Sequence, residues 1–181
     1  FVGLDYSSTV IEASKRIAAN LGYNNMEFKL TDVRSYKKTR DIHLVISLHA
    51  CDTATDEALA LAVNNNVEAV VAVPCCHREV LSMYDYPPFK QILKYGILKA
   101  RIADALTDGM RALFLEGMGY KTSIVEYISP LDTPKNLMIR ALKAGPYNSG
   151  AMDEYKKLRD MLNVSLSLEK LVSLEKLIGH S

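Results

Sequence analysis

Residues 43–48 (His-Leu-Val-Ile-Ser-Leu) and residues 69–73 (Ala-Val-Val-Ala-Val) are two short, nearly continuous apolar runs. Between them, residues 53–63 predict a helix, with Asp56 in its first turn, where the helix dipole favours negative charge. Apolar strands that alternate with helices are typical of a parallel sheet covered on both faces. This stretch therefore predicts a doubly wound α/β domain.

The flanking sequence extends the same alternation of strands and helices. Further strands are predicted at 1–5, 26–30, 120–128 and 137–142, with helices at about 9–21 and 99–117. The connection over 129–136 is too short to hold a crossover helix, so the last two strands must be antiparallel neighbours. The sheet is thus predicted to be parallel with an antiparallel last strand.

A turn-rich segment, residues 144–150, is the one soft boundary in the chain. It divides a domain of residues 1–144 from a C-terminal helical extension of residues 145–181. Within the extension, residues 152–178 have helical periodicity, with leucines at the apolar positions. This pattern favours a helix pair packed on the sheet, and a homodimer seam or a lid is the alternative.

Composition excludes several classes of protein. The 181 residues are 49% hydrophobic and 24% charged, which excludes a disordered chain. With 22 basic and 21 acidic side chains, the net charge of +1 offers no overall attraction for nucleic acid or membrane, so any RNA contact must be local, as at 37–40 or 156–159. The three cysteines and the lack of a long apolar run predict a cytoplasmic protein with no membrane partner.

Polar residues follow the ends of the predicted strands. In an open parallel sheet, ligands bind outside the carboxyl ends of the strands, so these positions predict a binding site. They are Asp5 and Tyr6, Asp32 and Val33, His49, Ala50, Cys51 and Asp52, and finally Pro74, Cys75, Cys76 and His77.

Two aspartates suit a nucleoside ligand. Asp5 ends a strand before a helix, where an acid of a nucleotide-binding fold accepts hydrogen bonds from ribose hydroxyls, although a helix cap or a surface acid is the simpler alternative. The carboxylate of Asp32 can accept from an adenine amino group, and Val33 can cover the base.

The histidines and cysteines also invite a zinc hypothesis, because thiolates and imidazoles are zinc ligands. Their spacing lacks the knuckle of structural zinc sites, so we predict no metal. The alternatives are tight packing for the cysteines, and a helix start or a buried hydrogen bond for His77.

Three segments carry a resemblance to a known family: 48–56 (Leu-His-Ala-Cys-Asp-Thr-Ala-Thr-Asp), 73–77 (Val-Pro-Cys-Cys-His) and 133–140 (Thr-Pro-Lys-Asn-Leu-Met-Ile-Arg). They resemble S-adenosylmethionine-dependent methyltransferase domains, and the first two also resemble a tRNA 2′-O-methyltransferase that acts on the acceptor stem. The resemblance covers about residues 1–144. It implies a seven-stranded Rossmann-like sheet of class I, whose first strand and glycine-rich loop would lie before Phe1, so we expect a truncated domain.

The resemblance implies S-adenosylmethionine as the cofactor. Asp5, with Tyr6 beside it, falls on the ribose-binding acid of the family, and Asp32, with Val33, falls near the adenine. The segment from His49 and Ala50 to Asp52 matches the loop between the methionine part of the cofactor and the substrate.

Catalysis on a hydroxyl would need a base, for which His49, Asp52 and His77 are the candidates. Cys75 or Cys76 as a covalent nucleophile is less favoured, because no companion acid is identified. The predicted activity is methyl transfer, with RNA (tRNA or rRNA) as a candidate acceptor. The alternative is a catalytically degenerate methyltransferase fold that serves as a binding module, and the antiparallel final strand pair argues against a nicotinamide dehydrogenase.

Overall fold

The computed structural model describes residues 1–48, 50, 53–133 and 135–172. Predictions that fall on His49, Cys51, Asp52, Pro134 or residues 173–181 lie outside the described residues. The chain divides into two compact units, Phe1–Asp41 and Ile42–Ser181. In the described ranges, every helix is too short or too polar to cross a membrane.

The first unit contains β1 (Val2–Asp5), α1 (Ser8–Asn20), β2 (Glu27–Leu30) and a 3-10 turn (Val33–Ser35). The two strands are parallel. The predicted helix and both strands are confirmed. Helix α1 begins after Ser7, whose hydroxyl accepts a hydrogen bond from the Val10 N–H (3.4 Å), and it ends before Gly22, which has the left-handed φ of 76° that glycine tolerates.

The second unit contains four strands and most of the helices. In chain order the elements are β3 (Leu44–Leu48), α2 (Thr53–Asn64), β4 (Ala69–Val73), α3 (Arg78–Met83), a 3-10 turn (Pro87–Phe89), α4 (Lys90–Leu93), α5 (Gly96–Gly117), β5 (Tyr120–Glu126), β6 (Leu137–Lys143), α6 (Ser149–Leu162) and α7 (Ser167–Leu171). The strand order is β3-β4-β6-β5.

The last strand confirms the predicted mixed topology. Strands β3 and β4 are parallel, whereas β6 is antiparallel to both β4 and β5. The fold is thus a mixed α/β sheet of the Rossmann-like kind, with β6 inserted between β4 and β5. The family resemblance implied a single sheet of seven strands. The described residues instead contain six strands, which form one two-stranded sheet and one four-stranded sheet.

The core of the second unit lies around β4, α2 and α5. Leu59, Val70 and Phe114 are fully or almost fully buried there. Helix α6 packs mainly against α5, where Tyr155 meets Phe114 edge-on with ring centroids 5.2 Å apart, and α7 packs against α2. Helices α6 and α7 therefore pack mainly on other helices. The sequence had predicted that they would pack on the sheet.

Candidate active site

Two of the predicted motifs come together at one edge of the four-stranded sheet. Because β3 and β4 are parallel with Leu48 opposite Val73, the residues that follow both strands begin at the same edge. Strand β6 runs the other way, with Ile139 opposite Ala72, so the residues that precede β6 come to this edge too. The structure thus brings the 74–77 motif close to the start of β6. Of the predicted 49–52 loop, only Ala50 is described, and its carbonyl accepts from the Thr55 hydroxyl (2.7 Å).

His77 is buried at this edge, with its side chain only 2% exposed. It occupies the N-cap position of α3 without capping the helix through its side chain. Its Nε2 lies 2.9 Å from Asp108 Oδ1, and its Nδ1 lies 2.8 Å from Asp104 Oδ1, out of line for a hydrogen bond. The imidazole therefore ties the loop after β4 to helix α5, which confirms the alternative of a buried, hydrogen-bonding histidine.

The charged cluster continues into the core. Asp108 Oδ1 also accepts from Arg111 Nη1 (3.1 Å), and Arg111 Nε donates to Asp56 Oδ1 (2.7 Å). Asp104, Asp108 and Arg111 follow an i, i+4, i+7 spacing, so they share one face of α5. Asp56 stands in the first turn of α2 and is fully buried, so it acts as the partner of an arginine and not only as a charge on a helix dipole. We call His77, Asp104, Asp108, Arg111 and Asp56 the buried charge cluster.

The electrostatics of Arg111 show how the cluster holds together. Burial acts to lower the pKa of the guanidinium, but the charge of Asp56 and its hydrogen bond, followed by those of Asp108, outweigh burial, so the pKa of Arg111 is raised. The guanidinium is therefore charged. A buried charge of this kind is strongly destabilising when its partner is removed, because the charge that remains has no water around it.

Lys135 closes the cluster on its solvent side. Its ammonium pairs with Asp104 Oδ2, and both side chains are about a third exposed. A cavity of about 30 Å³ lies among Pro74, His77, Asp104, Asp108, Lys135 and Leu137. That volume suits a water-sized group and is far too small for an adenosyl group, so this cavity is not a cofactor site.

The 133–136 motif shapes the loop that carries Lys135. The Thr133 hydroxyl accepts from the Lys135 N–H (3.1 Å), and the buried Asn136 side chain donates to the Ile128 carbonyl (2.9 Å). These bonds fix the end of the β5–β6 connection. The motif therefore positions Lys135, a role that the sequence analysis did not assign.

Cys75 and Cys76 are partly buried between Pro74 and His77. Their sulfur atoms lie 3.7 Å apart, much further than the ~2.05 Å of a disulfide bond. Among the described residues, no group of three His, Cys, Asp or Glu side chains has the geometry to hold a metal ion. His49 and Cys51 lie outside those residues, so the metal-free site stays a prediction.

The first unit presents its own polar edge. Asp5 ends β1, and its Oδ1 accepts from the Ser7 N–H (2.7 Å), while no described residue donates to its Oδ2. Tyr6 beside it is 88% exposed. A carboxylate that is oriented by one oxygen and available at the other fits the two hydroxyls of a ribose.

Asp32 follows β2, which is parallel to β1, so it lies at the same edge as Asp5. Its Oδ1 accepts from the Arg34 N–H (2.8 Å), and its Oδ2 lies 2.6 Å from Arg34 Nη2. The hydrogen bond from the Arg34 side chain is the main reason that the pKa of Asp32 falls to about 2. Because Arg34 already uses both oxygens, Asp32 fits an adenine amino group less well than Asp5 fits a ribose. Val33 is half-buried and begins the 3-10 turn.

Sequence reasoning missed the acids and the arginine of α5. A signal for them was present, because Asp104, Asp108 and Arg111 fall on the same side of the predicted helix as Leu115, which is buried. Charged residues at core positions of an amphipathic helix need partners. That rule predicts a buried ionic cluster, although it does not name the partners on other elements.

Comparisons with known proteins agree with this architecture. Residues 1–83, slightly less than half of the chain, match a family model described as a methyltransferase domain. The structure is similar to the crystal structure of an rRNA methylase from Streptococcus thermophilus, with 14% sequence identity, a TM-score of 0.50, and coverage of 80% of this chain and 73% of that chain. No curated protein matches the chain.

At 14% identity, the structural likeness concerns the fold alone. The family-model match is more specific, because residues 1–83 include the ends of β1, β2, β3 and β4, where the predicted site residues lie. The class of protein that the comparisons support is a methyltransferase.

Proposed function

We propose that this chain functions in an enzyme that transfers a methyl group from S-adenosylmethionine to RNA. The observation that carries the proposal is the methyltransferase-domain match over residues 1–83, which spans all four strand ends with candidate site residues. The parallel strands with an antiparallel β6 support it, since such a sheet presents its carboxyl edge to ligands.

We propose that Asp5 binds the ribose of the cofactor. Its Oδ1 is held by the Ser7 N–H, so Oδ2 can accept from the ribose hydroxyls without reorganisation of the loop. Tyr6 offers an exposed ring to the adenosyl group, and Val33 offers an apolar side chain. Asp32 can accept from adenine only in competition with Arg34. When bound, the cofactor supplies a methyl group on a sulfonium sulfur.

For the chemical step we propose a division of labour between the two histidines. His77 has both ring nitrogens within 3 Å of a carboxylate oxygen, so it is poorly placed to take a proton from a substrate hydroxyl. We assign it a positioning role: it holds the loop after β4, which carries Cys75 and Cys76, against helix α5. His49 and Asp52 remain the candidates for the base, and Ala50 remains a candidate contact for the cofactor.

RNA is the proposed acceptor, in the cytoplasm. The similar Streptococcus thermophilus protein is an rRNA methylase, which supports RNA as the substrate class. The basic clusters at 37–40 and 156–159 give less support to RNA binding, because lysines in both already pair with acids. Lys38 Nζ lies 3.4 Å from Asp41 Oδ1, and Lys157 Nζ lies 2.6 Å from Glu154 Oε1. A homodimer through the C-terminal helices remains a prediction.

The test is methyl transfer from radiolabelled S-adenosylmethionine to three separate pools: total cellular RNA, protein and small metabolites. We expect label in the RNA pool, together with saturable cofactor binding in calorimetry. Label in protein or metabolites alone would overturn the RNA assignment. Cofactor binding without transfer to any pool would favour the degenerate binding module, and no cofactor binding would overturn the proposed function as a whole.

A further inference from the structure

A second, larger cavity, which shares no lining residue with the first, lies between the end of α3 and the start of α5. Its volume is about 320 Å³, and its lining includes Lys90, Lys94 and Lys99 together with Tyr84, Asp85 and Leu93. We call it the lysine pocket. In the part of the chain that the structure describes, none of its three lysines forms an ion pair. Three lysines against one aspartate leave the pocket with an excess of positive charge.

Tyr84 contributes a buried residue to the lining of the lysine pocket. The residue is 2% exposed, and its hydroxyl has no hydrogen-bond partner among the described residues. Burial is the main cause that raises the pKa of this phenol, so the hydroxyl keeps its proton and can donate it in a hydrogen bond. A buried hydroxyl without a partner is destabilising, and an anionic oxygen in the pocket would supply the acceptor.

The start of α5 adds to the positive potential. The helix begins at Gly96 without a side-chain cap and without an acidic residue in its first turn, and Lys99 stands close to that end. The N-terminus of a helix carries partial positive charge, so a lysine there is unfavourable unless an anion is near.

Exposed aromatic side chains surround the same segment. Phe89 is 41% exposed and Tyr95 is 55% exposed, and the Lys94 ammonium lies 5.1 Å from the Tyr95 ring centroid. Lysines beside exposed aromatic rings are typical of surfaces that bind single-stranded nucleic acid, because the lysines meet phosphates while the rings stack on bases.

From these observations we infer that the lysine pocket binds a backbone phosphate of a single-stranded RNA, with neighbouring bases stacked on Phe89 and Tyr95. This inference rests on the proposed function, and it names the surface that would hold the acceptor. The position of the lysine pocket agrees with this role, because the pocket lies near the candidate active site. Tyr84 follows the six-residue helix α3 that starts after His77, and Lys99 precedes Asp104 by five residues on α5. At a helical rise of 1.5 Å per residue, the distance from His77 to Tyr84 and the distance from Lys99 to Asp104 are each about 10 Å or less.

The test measures binding of a fluorescent single-stranded RNA oligonucleotide at several salt concentrations. For a variant that combines Lys90→Gln, Lys94→Gln and Lys99→Gln, we expect affinity to fall at least about tenfold. The slope of log K against log salt should also become shallower by about 0.7 for each phosphate that the variant no longer neutralises. Lys121→Gln, an exposed lysine of β5, is the matched control and should bind like the wild type. Equal binding by the triple variant, or an equal drop in affinity in the control, overturns the inference.

The aromatic and hydroxyl contributions are tested separately. Tyr95→Ala should weaken RNA binding about fivefold or more, whereas Tyr23→Ala, which removes an equally exposed ring (55%) from the first unit, should not. Tyr84→Phe should leave the melting temperature of the free protein unchanged or higher while it weakens RNA binding about tenfold. A lower melting temperature with unchanged binding would mean that the hydroxyl serves the fold, and it would overturn its role as a ligand donor.

Further outcomes separate this inference from the proposed function. RNA methylation by the wild type with normal RNA binding by the triple variant overturns the inference and leaves the function standing. Lysine-dependent RNA binding without methylation overturns the function and supports the inference. If inorganic phosphate competes fully at concentrations near the dissociation constant of the RNA, the pocket is a site for a small anion, and the assignment to an RNA strand is wrong.

Discussion

The edge of the first unit and the buried charge cluster of the second unit use the same kinds of side chain in opposite ways. In the described residues, the side-chain hydrogen bonds of Asp5 and Asp32 come from residues two positions further along the chain. In the cluster, His77 and Arg111 reach partners 31 and 55 residues away. Asp32 is partly exposed, whereas Arg111 and Asp56 are at most 1% exposed.

This difference in exposure distinguishes charged pairs that are able to bind a ligand from charged pairs that stabilise the fold. Water screens an exposed local pair, which contributes little to stability and can exchange its partner for a ligand. A buried cluster cannot exchange partners without leaving an unsolvated charge. We therefore expect the exposed edge of the first unit to serve recognition, whereas the buried charge cluster ties the loop after β4 to helix α5.

The largest expected effect is on stability, from Arg111→Met. This change leaves Asp56 and Asp108 buried without the guanidinium, so we expect the free energy of unfolding to fall by about 3–5 kcal/mol in denaturant titration. The same substitution at Arg159, which is 27% exposed and pairs with Asp160 and Glu169, should cost less than about 1 kcal/mol. If both variants lose the same small amount, the cluster does not hold the fold together.

His77→Ala should lower the free energy of unfolding by about 2–3 kcal/mol, because two carboxylates lose their facing imidazole. The rate of methyl transfer per folded molecule should stay within a few-fold of the wild type. A positioned base would instead account for about 10²–10⁴-fold in rate. His43→Ala, the removal of an exposed histidine just before β3, is the control for both measurements. A large loss of rate with full stability would return His77 to the candidate bases.

Asp5→Ala should weaken S-adenosylmethionine binding by about 1.5–3 kcal/mol in calorimetry, the range for hydrogen bonds to a charged group. Loss of the turn at Ser7 should cost the fold no more than about 1 kcal/mol. Glu12→Ala changes an exposed acid on α1 and should leave the affinity unchanged. Equal affinity of all three proteins would remove Asp5 from the ribose site.

The smallest expected effect concerns Arg34→Gln. Arg34 holds the pKa of Asp32 down from 3.8 to about 2, so the pair stabilises the fold above pH 3.8 and loses this contribution as the pH falls through about 2. In an NMR titration, the variant should bring the midpoint of Asp32 back towards 3.8, with little change in the melting temperature at neutral pH. Cofactor affinity should stay the same or rise as the carboxylate is released. A fall in affinity would show that Arg34 itself contacts the ligand.

Much of the fold was predictable from local pattern. The strand at 69–73 was predicted with its observed limits, and α1, β2, β3 and the antiparallel β5–β6 pair were predicted within a few residues. Alternation of apolar runs with amphipathic segments is a local property, so a single sequence carries it. Helices α3 and α4 were not predicted, because six-residue and four-residue helices have too few turns to show a period.

The sequence by itself determined the α/β class, the antiparallel last strand and the placement of polar residues after the strands, because hydrophobic period and connection length act over a few residues. Only the tertiary structure decided that Asp56 meets Arg111 and that His77 turns towards α5. It also decided that β6 enters between β4 and β5, and that three lysines and Tyr84 line one cavity. The physical reason is that the partner of a buried charge is chosen by which elements pack together, and those partners are dozens of residues apart in the chain.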